Sequence, residues 1–245
     1  MVRLTDFKAL TFDCYGTLID WESGIYAALQ PLLQKATQNT GQTMSRDAVL
    51  ETFAQHESAQ EAETPAMVYS ELLATVHARL ARAWDVTVDA ADHARFGASV
   101  PQWPAFPDST DALTYLKQHY QLVILSNVDR ESFKGSNRRL GVAFDAVYTA
   151  QDVGSYKPDL KNFDYMLTHL AQRGVAKTDI LHTAQSLFHD HAPARRIGLT
   201  SAWIDRRGDQ QGWGATMAPP EGAAYDFRFS TLAAMAEAHK AEQTG

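Results

Sequence analysis

The stretch Leu10-Thr11-Phe12-Asp13-Cys14-Tyr15-Gly16-Thr17-Leu18 ends an apolar run in one carboxylate, then turns through glycine into a hydroxyl residue. That order places Asp13 at the C-terminal lip of a buried parallel strand, where open α/β sheets gather their sites. A carboxylate held there can attack a carbon or phosphorus centre as a nucleophile. Asp also caps turns and helices, so the stretch needs company to carry chemistry. Three further segments supply it: Leu122–Asn127, Tyr156-Lys157-Pro158, and Ile180–Asp190. Lys157 would keep Asp13 ionised and bind an anionic group of the substrate, although most lysines are solvated. Ser126 and Thr17 offer donors to that anion, and in isolation read as a strand-end serine and a turn threonine. Asp190 either positions Lys157 and activates water or caps a helix beginning at Ala192. His182, His189 and His191 are metal-ligand types, but alternating strand and loop positions should scatter them, so no metal site is expected. The lone cysteine, Cys14, permits no internal disulfide and reads as a buried, inert thiol.

The elements that must position these groups follow from hydrophobic periodicity. Phe7 to Phe12 reads as the first buried strand. From about Ile19 to Trp103 the pattern is helical, with helices around Ser23 to Ala36 and Arg46 to His56 separated by Gly41-Gln42-Thr43. Tyr69, Leu72, Leu73, Val76, Leu80 and Trp84 form an amphipathic stripe. The proline-rich Pro101–Asp108 stretch is a stiff return linker. Helix and strand then alternate: Ser109–Gln118 helix, Leu122–Leu125 strand, Ala146–Thr149 strand, Asn162–Gln172 helix, Ile180–Thr183 strand, Ala192–Ile197 helix and Thr200–Ile204 strand. Tyr225–Phe229 and a helix to about Ala238 close the chain, and Gly208–Gly222 reads as a surface loop. Such alternation means a doubly wound parallel sheet, here with an α/β core over 1–18 and 104–245 and a helical insert over 19–103.

In order and spacing the four segments resemble those of the haloacid dehalogenase superfamily, which uses a nucleophilic Asp, a Ser or Thr, a Lys and a late acidic motif. The resemblance implies a Rossmann-like core with a helical cap, Asp13 as nucleophile, and Lys157 and Asp190 as its catalytic partners. It implies Asn127 as a donor to a leaving halide, and Tyr15, Thr17, Ser126, Gln185 and Ser186 at the substrate. Phosphatases of the superfamily carry an acid two residues after the nucleophile. Tyr15 stands there, in the Tyr-Gly-Thr sequence of 2-haloacid dehalogenases. A halide leaves without a proton, so the missing acid is tolerable for dehalogenation and damaging for ester cleavage. Gln185 likewise stands where a Mg²⁺ site would want a carboxylate. The chain departs from the dehalogenases in lacking their cap arginine in Thr52–Glu57, where His56 and Gln55 are the candidate substitutes. Phe163 replaces their tyrosine, and Gln185 and Leu187 replace their serine and asparagine.

The chain has 245 residues, 45% of them hydrophobic, and a net charge of -7, which points away from nucleic acid and anionic membrane. No apolar run approaches the roughly 20 residues of a membrane span, and Met1 to Leu10 lacks a signal-peptide core. A cytoplasmic enzyme acting on a small anionic substrate is therefore expected, with a homodimer implied only by the resemblance. The expected activity is hydrolysis of a short 2-haloalkanoic acid to the 2-hydroxy acid through a covalent aspartyl ester, without a cofactor. The alternatives are a Mg²⁺-dependent phosphatase on a small metabolite and a catalytically weak binding protein. Trp21, Phe53, Trp103 and Phe188 are candidate pocket walls, with core packing the ordinary role for each.

Overall fold

The computed structural model describes residues 2–244; Met1 and Gly245, both assigned above to the core, lie outside them. Among the described residues six strands form one parallel sheet in the order β3-β2-β1-β4-β5-β6. They are β1 (Ala9–Phe12), β2 (Gln121–Ser126), β3 (Ala146–Thr149), β4 (Ile180–Ala184), β5 (Ser201–Ile204) and β6 (Phe227–Phe229). Every residue of β1 and β4 is buried. Strands buried along their whole length belong to the middle of a sheet covered on both faces. Phe12 pairs with Ile124 of β2 and with Thr183 of β4, so the segments that follow all three strands meet at one edge. Strand order reverses between β1 and β4, which opens a crevice at that edge.

Four helices lie between β1 and the return to the sheet: α1 (Trp21–Thr40), α2 (Arg46–Glu63), α3 (Tyr69–Ala83) and α4 (Ala90–Gly97). Asp20 caps α1 by accepting from the Ser23 backbone, and Gly41 ends it at φ +70°, in the left-handed region. Trp103 returns the chain and packs closely on α1, where a Cβ at Gly24 would stand 2.3 Å from its ring. The remaining helices wind the sheet: α5 (Ser109–Leu116), α6 (Arg130–Leu140), the short α7 (Ala150–Val153), α8 (Leu160–Gln172), α9 (Ala192–Arg196) and α10 (Leu232–Thr244). Phe163, Met166 and Leu170 of α8 and Ala194 of α9 pack with Val123 and Leu125 on one face. Leu113 of α5, Phe133 of α6 and Met235 of α10 join the larger core on the other.

The doubly wound reading holds, with local differences. The first strand begins at Ala9 rather than Phe7, and the final helix runs to Thr244. Helix α6 lay in a stretch to which the periodicity gave no element. Its sequence is largely polar, and it buries Ser132, Phe133, Gly135, Ser136 and Leu140. Gly208–Gly222 is not wholly at the surface. Glu22 of α1 accepts from Arg207 and from the Ala215 backbone, and draws Ala215 and Thr216 into buried positions. Among the described residues no helix is long and apolar enough to cross a membrane.

Candidate active site

Asp13 leaves β1 beneath the insert, and Gly16 turns the chain away at φ +91°. A side chain there would be strained by the backbone and would meet Trp21 Nε1 at 3.0 Å. Lys157 enters from the turn after α7, buried at 1% exposure. Its Nζ donates to Asp13 Oδ1 at 2.9 Å, Asp190 Oδ1 at 2.6 Å and the Leu125 carbonyl at 3.0 Å. An ammonium has three hydrogens, and all three are engaged. No hydrogen of Lys157 is left for a further acceptor. The expectation that it binds a substrate anion directly is corrected by this saturation.

Asp190 is not a helix cap. It lies in a π-turn, Leu187–His191, of the kind that often marks functional sites. Its Oδ1 also pairs with His182 Nε2 at 3.0 Å, and His182 Nδ1 pairs with Thr11 Oγ1 at 2.9 Å. Its Oδ2 is buried without a partner. Burial pushes Asp190 up, but Lys157 and His182 outweigh it and hold this carboxyl well below the ordinary range. Burial raises Asp13, against Lys157. Burial would lower Lys157, yet the two carboxyls beside it hold its ammonium above the ordinary lysine value. Cys14 is buried, and burial with the neighbouring Asp13 raises its thiol well above the ordinary range, as an inert thiol requires.

The other expected residues divide between lining the cavity and supporting those that do. Ser126 Oγ lines the space beside Asp13 and has no partner. Tyr15 also lines it, with its hydroxyl bonded to Ser136 of α6 at 2.9 Å. Ser186 lines it too, but its Oγ accepts from the His189 backbone at 3.0 Å and so shapes the π-turn. Thr17 is sealed beneath the site. It donates to Asp13 Oδ2 at 2.8 Å and accepts from Gln185 N at 2.9 Å, which orients the carboxyl and leaves Thr17 off the cavity wall. Asn127 donates to the Lys157 carbonyl and to Glu61 Oε1, and accepts from Lys157 N. It clamps the lysine turn and has no hydrogen free for a halide. The Gln185 side chain faces a neighbouring cavity with Gly16 and Trp21.

His56 does not reach the site. It is half-buried, with Arg79 near enough to lower its imidazole further than burial alone does. On α2 its neighbour Glu57 faces inward instead, followed four residues later by Glu61 on the same side. These two carboxyls line the cavity opposite Asp13 and were missed, as were Tyr69 and His189. The signal existed: Val49, Phe53, Glu57 and Glu61 form one stripe at four-residue steps, which sets acids on the apolar face. Tyr69 Oη donates to Glu57 Oε1 at 2.6 Å. Burial pushes Glu57 up to about 8 and, with Glu57 beside it, pushes Glu61 well above the ordinary range. His189 is pushed down to about 4 by burial, so its imidazole is neutral. Of the four aromatic candidates Trp21 lines the cavity, Phe53 and Trp103 belong to the core, and Phe188 lies outside both, edge-on against His189 with ring centroids 4.8 Å apart. Phe163 packs edge-on against His182, with ring centroids 5.3 Å apart. His182, His189 and His191 keep separate partners, and among the described residues no three His, Cys, Asp or Glu side chains gather to hold a metal ion.

Residues 7–182 match the family model described as haloacid dehalogenase-like hydrolase. No curated protein matches the chain in sequence. Among solved structures, it is similar to a defluorinating L-2-haloacid dehalogenase, with 18% identity, 98% of this chain and 99% of that chain covered, and a TM-score of 0.77. An L-2-haloacid dehalogenase from Xanthobacter autotrophicus with chloropropionic acid covalently bound aligns at 17% identity, covering 94% and 97%, with a TM-score of 0.75. The magnesium-bound YfnB of Bacillus subtilis aligns at 18% identity, covering 96% and 99%, with a TM-score of 0.74. At such identities the likeness is one of fold.

Proposed function

The chain belongs to the haloacid dehalogenase-like hydrolases, and from that premise we propose that it hydrolyses short 2-haloalkanoic acids to 2-hydroxy acids. The observation that carries this reading is the buried Asp13–Lys157–Asp190 arrangement with Tyr15 in place of a leaving-group acid. Asp13 attacks the halogen-bearing carbon. A carbon–oxygen bond forms as the carbon–halogen bond breaks, and the halide leaves with the electron pair. Water then adds to the ester carbonyl carbon; one of its protons is relayed by Asp190, whose Oδ2 is unpartnered, to the 2-hydroxy oxygen as the bond to Asp13 breaks, and the other is released to solvent. The 2-hydroxy acid departs and Asp13 is a carboxylate again. Throughout, Lys157 supplies positive charge in a medium that screens it poorly.

Helices α1 to α4 serve as a cap over this chemistry. The space beside Asp13 is about 30 Å³, room for about one water. A substrate therefore enters as the cap moves away and is shielded from solvent as it returns.

The phosphatase alternative has less support. The Gln185 amide lies beside Gly16 and Trp21, and the Lys157 ammonium fills the place between Asp13 and Asp190. These donors do not fit a magnesium site. The deciding experiment is anion release from chloroacetate, fluoroacetate, both enantiomers of 2-chloropropionate and an aryl phosphate, with Mg²⁺ and with chelator. Chelator-insensitive halide release that vanishes in Asp13→Asn is expected. Mg²⁺-dependent phosphate release would overturn the reading, and ligand binding without turnover would favour a binding protein.

A further inference from the structure

The cap wall opposite Asp13 presents acids where an enzyme for anionic substrates would be expected to present a cation. Glu57 and Glu61 are 4% and 8% exposed and share the cavity with Asp13, Asp190 and a single ammonium. If both were ionised, four carboxylates would face one lysine in a space that holds about one water. That arrangement would repel both a carboxylate substrate and a departing halide. Glu61 has the more pointed position. Its Oε1 accepts from Asn127 Nδ2 at 3.1 Å, so it takes up the amide that would otherwise face the leaving group. Its Oε2 is directed toward His189 Nε2, which lies 3.8 Å away, beyond hydrogen-bond reach, and is itself buried without a partner.

We propose that the Glu61 carboxyl is the leaving-group donor of this enzyme, in the role that a cationic side chain would otherwise fill. The inference rests on the displacement chemistry proposed above. As Asp13 attacks carbon, the halide departing with the bonding pair accepts a hydrogen bond from the Glu61 O–H. Chloride and bromide need no more than this, whereas fluoride, small and strongly basic for a halide, takes the hydrogen bond most strongly. No proton is consumed in the step: Glu61 keeps its hydrogen, and the proton released overall comes from the hydrolytic water.

The groups facing Glu61 are consistent with a neutral acid. Burial first, and then Glu57 beside it on α2, raise its proton affinity, against the hydrogen bond from Asn127 and the charge of Lys157 on the core side. His189 on the π-turn is neutral. Tyr69 on α3 and Tyr156 before the lysine are held as phenols by burial. Ionisation of Glu61 at high pH would replace the donor with a repelling charge, so turnover should have an alkaline limb.

The test is the pH profile of halide release by wild type, Glu61→Gln and Glu57→Gln, together with chloride and fluoride titrations of each followed by tryptophan fluorescence. Glutamine keeps a donor and cannot ionise. Glu61→Gln should retain chloride release within about tenfold and lose the alkaline limb, and Glu61→Ala should cost fluoride release about a hundredfold. An unchanged limb in Glu61→Gln, or a limb removed only by Glu57→Gln, overturns the assignment. If no haloacid is turned over, the displacement reading fails by itself and halide binding decides the inference. Binding that disappears at high pH in wild type and persists in Glu61→Gln supports the donor. Absent or pH-independent binding in wild type overturns it.

Discussion

Replacing Glu57 with glutamine should change how the stability of the fold depends on pH. Burial lifts this carboxyl from 4.5 to about 8, in spite of the hydrogen bond from Tyr69. Between those limits the folded state holds a proton that the unfolded chain has released, so raising the pH favours unfolding. The stability linked to this group is complete below the unfolded value and is lost as pH rises through the folded one. Each pH unit of that interval carries about 1.4 kcal/mol, and the whole interval is on the order of 5 kcal/mol. Glutamine keeps the shape, accepts from Tyr69 through Oε1 and does not titrate. Glu57→Gln should therefore gain on the wild type by about 1.4 kcal/mol per pH unit between about pH 5 and about pH 8. Urea unfolding at a series of pH values, with equal denaturant dependence in both proteins, measures the difference directly. Two parallel stability curves would refute the reasoning, because they would mean that the folded protein does not hold the extra proton.

Lys157→Met should abolish halide release and cost about 3–5 kcal/mol in urea unfolding, because two buried carboxyls lose their shared counter-charge. A variant as stable as wild type at neutral pH would show that the ammonium does not compensate them. Tyr15→Phe removes the bond to Ser136 and should cost about 1 kcal/mol of stability while leaving halide release within about tenfold. A loss of about a thousandfold in that assay would identify the tyrosine as an acid after all.

Much of the core was legible because parallel strands buried on both faces read as continuous apolar runs. A reactive group on such a sheet must lie at or beyond its strand ends, and Ser126 closes β2 while Asp13 and Asp190 follow β1 and β4. What the four segments left open was which hydrogen goes where. Nothing in Tyr156-Lys157-Pro158 says that all three ammonium hydrogens are taken up by protein acceptors. Nor does Leu122–Asn127 say that Asn127 grips the lysine turn instead of a halide. His56 was misplaced for a different reason. A helix turns about 100° per residue, so choosing 56 over 57 exchanges the cavity for the half-exposed flank. Acids on α2 read as solvated by default, and their burial depends on Tyr69, Asn127 and Lys157, which lie far along the chain. Helix α6 went unassigned because only five of its eleven residues are buried, too few to stand out from a polar stretch.

The pairing of β1 with β4 also bears on when chemistry first exists in the life of the chain. Lys157 follows Asp13 by 144 residues, and Asp190 follows Lys157 by 33. A ribosome therefore releases Asp13 long before Lys157 and Asp190, and no local contact can stand in for them. Closing a span of that length adds little entropy cost, because loop closure grows only logarithmically with length, but contacts so distant in sequence form slowly. On the proposed chemistry, the site is assembled only when the last third of the chain docks along the first strand. A chain cut between those strands and parted from its remainder would keep its aspartate without the lysine that pairs with it.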